Sequence, residues 1–160
     1  MNRMKRWMSL ILCILMLASL GTTAYADGTE ITQSRAVIGA DLDESQVAAV
    51  YNVFGVKKGD VIQLSVTNAE EREYLEGYVD ESIIGTRSIS CVYVELLGEG
   101  SGMDVTTSNI TWCTAEMYIS ALATAGITDA RIVVAAPFEV SGTAALTGIY
   151  KAYELSLIHI

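Results

Sequence analysis

NITWCTAEMYISALATAGITDARIVVAAPFEVSGTAALTGIYKAYE, residues 109–154, reads in one pass as helix, strand, glycine-bearing turn and helix. Met117, Tyr118, Ala121, Leu122 and Ala125 recur at helical spacing, which predicts a helix over 112–125 that ends on Gly126-Ile127. Residues 130–136 form an apolar run of strand length. Such a run needs cover on both faces of a sheet, and Pro137 is expected to close it. Ser141 or Thr143 then caps a last helix whose face is Leu146, Ile149, Tyr150 and Tyr153. That pattern stops at Glu154, and LSLIHI (155–160) does not continue it. The last six residues are expected to be a tail foreign to the domain, with the natural protein running on.

Upstream, residues 83–97 read as a long strand region broken near Gly85, followed by a glycine-rich turn at 98–102. Residues 103–107 are expected to return as an antiparallel partner, making a hairpin. Further back, Thr67 or Asn68 with Glu70 or Glu71 makes a capping box for a helix over 69–76, and residues 61–66 alternate as a strand. Asp43 with Gln46 makes another box, Leu42 and Val47 a hydrophobic staple, and Val47, Val50, Tyr51 and Phe54 the apolar stripe of a helix closed by Gly55. Residues 35–40 are a short apolar strand. Strand–helix–strand units of this kind predict an α/β fold: a mixed, partly parallel sheet with one antiparallel hairpin and about four packed helices, a single domain over 35–154.

Residues 1–26 are of another kind. Arg3, Lys5 and Arg6 precede an apolar run over 8–20, which is short for a bilayer span, and Ala24-Tyr25-Ala26 offers a small-x-small cleavage site. This is the pattern of a secretory signal peptide, so the mature chain is expected to start at Asp27 with a flexible leader over 27–34, and to be secreted or associated with the cell envelope. The chain carries ten Lys plus Arg against nineteen Asp plus Glu, a net charge of −9. Removing residues 1–26 takes away three basic residues and no acidic ones, leaving seven against nineteen, or −12. An acidic surface of this kind excludes the basic footprint that nucleic acids and anionic membranes require. No later apolar run is long enough for a membrane span.

The single histidine, His159, is next to last. Serine–histidine and cysteine–histidine catalysis and histidine-ligated zinc are therefore not expected in this segment, and no catalytic residue, metal or cofactor is assigned. Neither phosphate-binding glycine motif occurs. Ser141, Gly142 and Thr143 form the candidate ligand-binding site: a strand running into a helix start presents backbone N–H groups to an anion. An ordinary N-cap explains the same residues. Cys91 and Cys113 are a possible disulfide, or two small buried apolar groups. Asp41, Asp43 and Glu44 fail the calcium-loop spacing, with Gln46 where glycine and Asn52 where glutamate is required. Glu70, Glu71, Glu73 and Glu76 read as a solvated helix face. Asn109 of the sequon Asn109-Ile110-Thr111 is expected to cap a helix. Trp112, Tyr118, Tyr150 and Tyr153 read as core, with a sugar- or peptide-binding platform as the alternative.

SRAVIGADL (34–42), VTNAEEREYLEG (66–77), IGTRSISCVYVELL (84–97) and the stretch 109–154 together resemble the YpuA-like family of exported bacterial proteins, a domain of unknown function. The resemblance implies a secreted or envelope-associated bacterial protein that continues beyond Glu154 with a largely helical part. It supplies no catalytic residues. The functional expectation is a non-catalytic protein that binds a cell-wall component or an envelope protein. The alternative is an anion-binding or hydrolytic domain at Ser141-Gly142-Thr143.

Overall fold

The structure is a computed structural model that describes residues 34–157, with side chains described as far as Tyr153. The expected signal peptide of residues 1–26 and the leader up to residue 33 lie outside the described residues. In chain order the elements are β1 (Arg35–Gly39), α1 (Glu44–Phe54), β2 (Ile62–Val66), α2 (Asn68–Leu75), α3 (Glu81–Ile84), β3 (Cys91–Leu96), β4 (Met103–Ile110), α4 (Ala115–Thr124), β5 (Ala130–Val140) and α5 (Thr143–Leu157). The strands form one mixed sheet in the order β2-β1-β3-β5-β4. β1 and β2 are parallel, as are β4 and β5, while β3 runs antiparallel to both β1 and β5. The α/β architecture with a partly parallel sheet is therefore present, built from two strand–helix–strand units joined through β3.

The helices follow from their caps. Asp43 and Gln46 make a reciprocal capping box on α1, and Gly55 ends that helix in the left-handed region at φ 74°. Thr67 and Glu70 do the same for α2. α4 ends in a Schellman arrangement, with the N–H groups of Gly126 and Ile127 donating to the carbonyls of Ala123 and Leu122 at 3.0 Å each.

Each face of the sheet has its own core. Ala36, Ile38, Cys91, Tyr93, Val133 and Ala135 meet Val50, Tyr51 and Phe54 of α1 on one face. Val37, Val92, Val94, Ile132 and Val134 meet α2, α4 and α5 on the other. Strand periodicity sends alternate residues of β1, β3 and β5 to opposite faces. α5 lies close on β1: a Cβ at Gly148 would stand 2.9 Å from a Val37 methyl.

Four expectations are corrected. β3 and β4 run in opposite directions, but they do not form a hairpin, because β5 lies between them. β5 is apolar on both faces and belongs inside the sheet, whereas β4, with Asp104, Thr106 and Thr107 exposed, suits the edge. Pro137 does not end β5, which continues to Val140: between the pairs Ser108↔Ala135 and Ile110↔Val140 the ladder is bulged, and a residue without N–H is tolerated there. Ile83 and Ile84 belong to the short helix α3, capped by Asp80, rather than to a strand. Finally, α5 continues through Leu157, because Leu155-Ser156-Leu157 contains neither glycine nor proline to stop it.

Candidate functional site

The carboxyl ends of β1, β2, β4 and β5 and the start of β3 share one end of the sheet. In open α/β sheets, ligands gather at this end. Here β5 delivers Ser141, Gly142 and Thr143 into the start of α5. The Ser141 carbonyl accepts from the N–H groups of Cys113 (2.8 Å) and Trp112 (3.3 Å), which ties the turn to the segment before α4. Gly142 has φ +99°, and its carbonyl accepts from the Tyr118 hydroxyl (3.1 Å) and the Leu146 N–H (3.2 Å). A Cβ at Gly142 would lie 2.7 Å from an Ile110 methyl and 3.0 Å from the Cys113 Cβ, so glycine is required by both space and conformation. Thr143 is buried and Ser141 half-buried.

The start of α5 is satisfied from inside the protein. The Ala145 N–H donates to the buried Ser90 Oγ (2.9 Å), so another segment supplies the cap. The Thr143 hydroxyl donates to Glu71 Oε2 at 2.7 Å, and Ser141 Oγ lies 3.1 Å from Thr143 Oγ1. Glu71 is 0% exposed, and its Oε1 has no hydrogen-bond partner among the described residues. Burial raises the pKa of its carboxyl above the ordinary range. Polar contacts from Thr143, Ser88 and Asn68 oppose the rise, and the Asp41 carboxylate adds to it. The place where an external anion would sit thus faces a carboxyl of the protein's own.

Glu71 is the functional candidate that sequence reasoning missed. Glu70 keeps to the expected solvent side, where it pairs with Lys151. Glu71 instead shares a face with Leu75, four residues on, and both are buried. That i,i+4 relation to an apolar residue was the available signal. Ser88 and Ser90 were also missed: they lie before β3, where an alternating small-polar pattern reads as strand. Ser88 donates to the Val66 carbonyl (2.7 Å) and its N–H is held by Asp41 (2.7 Å).

Beside the turn lies an open groove of about 500 Å³. Ser82, Thr86, Arg87, Trp112, Phe138 and Ser141 are among the residues that line it. Phe138, which lines the groove, lies in the bulged part of β5 between Ala135 and Val140. Trp112 and Phe138 are 38% and 43% exposed. Of the four aromatics considered as a platform, Trp112 therefore faces solvent, whereas Tyr118 and Tyr153 are core and Tyr150 stacks on Tyr74 at 6.0 Å. Asn109 caps no helix. It adopts φ 59° in β4, and its amide donates to the Ala136 carbonyl (2.8 Å), supporting the bulge where the ladder is interrupted.

Cys91 and Cys113 are free buried thiols and do not pair. They lie in different apolar clusters on opposite faces of the sheet, so no bridge spans them. Burial pushes the Cys91 thiol up to about 12 and that of Cys113 up to about 11. Asp41 and Asp43 serve as a backbone acceptor and an N-cap. Among the described residues, no cluster of three or more acidic, histidine or cysteine side chains is arranged to hold a metal.

A family model described as a protein of unknown function (DUF1002) matches residues 38–157. The uncharacterized protein YpuA of Bacillus subtilis (strain 168) is 42% identical over 152 residues, covering 95% of this chain and 52% of that protein. The chain thus spans about half the length of the relative it matches. No solved structure matches. The match over residues 38–157 includes the β5–α5 turn, Glu71, Cys91 and Cys113, and on it the chain belongs to the DUF1002 family of proteins of unknown function.

Proposed function

We propose that this chain carries a non-catalytic binding domain of the bacterial cell envelope, and that its groove takes a neutral, amide-bearing wall glycan. The observation that carries the reading is the pair Trp112 and Phe138, two exposed aromatic rings on one groove at the carboxyl end of the sheet. Sugar rings place their C–H faces on aromatic surfaces and their polar groups on nearby hydroxyls, which here come from Ser82, Thr86 and Ser141. Among the described residues lining the groove, Arg87 alone is charged, although the chain carries −9. That suits a neutral, acceptor-rich ligand better than a cationic one. The amino-terminal pattern of residues 1–26 supports the extracytoplasmic setting. The other reading, an anion held or hydrolysed at Ser141-Gly142-Thr143, has less support, because Gly142 is packed against Tyr118 and Thr143 is engaged with Glu71.

The test uses the full chain with Trp7→Phe, so that Trp112 is its sole tryptophan, titrated with N,N′,N″,N‴-tetraacetylchitotetraose. A saturable change in Trp112 fluorescence is expected, with binding weakened about ten-fold by Phe138→Ala, the scale of one aromatic contact. Absence of binding, or binding indifferent to Phe138→Ala, overturns the assignment.

A further inference from the structure

The groove and the core are joined by three groups in line. Ser141 Oγ, at the groove, lies 3.1 Å from Thr143 Oγ1, and Thr143 Oγ1 lies 2.7 Å from Glu71 Oε2. Each hydroxyl has one proton to donate, so the direction of the two bonds is set at the Glu71 end. When Glu71 is ionised it can only accept. Thr143 must then donate to Glu71 and Ser141 to Thr143, and the groove meets only lone pairs on Ser141. When Glu71 is neutral, its proton is best placed on Oε2, donating to Thr143. Oε1 makes no hydrogen bond to a described residue, so a proton there would lack the close partner that Thr143 gives Oε2. Thr143 then donates to Ser141, and the Ser141 proton is available to the groove. The Ser141–Thr143 contact permits either direction.

We propose that Glu71 is a specificity-setting residue that acts through Thr143 to decide whether Ser141 offers a groove ligand a hydrogen-bond donor or only an acceptor. The inference rests on the reading of the groove as a binding site. With Glu71 neutral, Ser141 donates to an acceptor such as a glycan acetamido carbonyl. With Glu71 ionised, that donor is withdrawn, and affinity for acceptor ligands falls as pH rises. Burial raises the Glu71 pKa and so favours the neutral form. The titratable groups that act on Glu71 from neighbouring elements are Asp41, after β1, and Cys113, before α4. Neither brings a positive charge. On α2 itself, Arg72 is directed to the Gly85 carbonyl (3.0 Å) and Glu70 to Lys151.

The experiment uses the full chain with Trp7→Phe and tetraacetylchitotetraose as the probe, from pH 5 to pH 9. Infrared difference spectra of the ligand-free protein follow the carboxylic-acid carbonyl band that Glu71→Gln removes. The expected result has three parts. The acid band disappears within the range. Affinity falls roughly five-fold over the same interval, the scale of one neutral hydrogen bond. Glu71→Gln, whose amide can donate to Thr143 at any pH, keeps the low-pH affinity throughout, while Ser141→Ala holds the high-pH affinity throughout. The proposal is overturned if no acid band is present at any pH, or if Glu71→Gln retains the wild-type pH profile. If the band titrates but the tetrasaccharide never binds, the groove reading fails and the donor switch loses its ligand, an outcome distinct from a failure at Glu71.

Discussion

Glu71 places an acidic group where neither solvent nor a cation meets its second oxygen, and the consequence is a pH-dependent stability of definite sign. Burial lifts its folded pKa above the value of about 4.3 of an unfolded glutamate. The native chain then holds a proton that the unfolded chain releases. Its contribution is complete below about pH 4.3 and declines as pH rises toward the folded pKa. Urea denaturation of Glu71→Gln and wild type should therefore give similar stabilities near pH 4 and an increasing advantage for the variant as pH rises. A pH-independent difference would refute this. Gly142 offers a steric test at the same turn. Gly142→Ala forces a Cβ into Tyr118, Ile110 and Cys113 at a positive φ, and about 3 kcal/mol of destabilisation is expected, measured as a lower urea midpoint with an unchanged m-value.

At the scale of elements, α2 and α5 begin by different means. The start of α2 is closed within its own sequence by Thr67 and Glu70, whereas that of α5 takes Ser90 from the segment before β3. Thr67→Ala removes a local, exposed cap and should cost about 1 kcal/mol. Ser90→Ala leaves a buried N–H without its acceptor and should cost about 2 kcal/mol. Hydrogen exchange at Ala145 should accelerate in Ser90→Ala and stay unchanged in Thr67→Ala. Equal costs, with no local change at Ala145, would show that Ser90 does not cap α5. On the acid side, the exposed caps Asp43 and Asp80, whose pKa values are lowered chiefly by Ser45 and Ser82, lose their contribution as pH falls through their folded values. They oppose the trend set by Glu71.

For the whole molecule, the three-layer arrangement isolates Cys91 and Cys113 on either side of the sheet. Neither of these two thiols should react with Ellman's reagent in the native state, and both should react on unfolding. A reductant should leave the melting temperature unchanged. Rapid native labelling of either thiol, or a drop in melting temperature with reductant, would contradict the burial described here. Among the described residues, no helix is long and apolar enough to cross a membrane.

The local signals in the sequence were sufficient for the helix ends that are closed within a few residues of their own chain. The capping boxes at Asp43 and Thr67, the left-handed Gly55 and the Schellman end at Gly126 are short-range hydrogen-bond choices, and all are present. The doubly apolar character of β5 was equally legible, and with it the α/β class. Non-local pairing was not. Putting β5 between β3 and β4 depends on which strand gains most from an interior position, a comparison among segments far apart in the chain. Pro137 stays within a strand only because β4 leaves the ladder there to a bulge supported by Asn109. The site divides in the same way. The Ser141-Gly142-Thr143 turn could be located from sequence, but its chemistry could not. That depends on Glu71, 72 residues from Thr143 in sequence, being turned inward by the packing of α2 against α5.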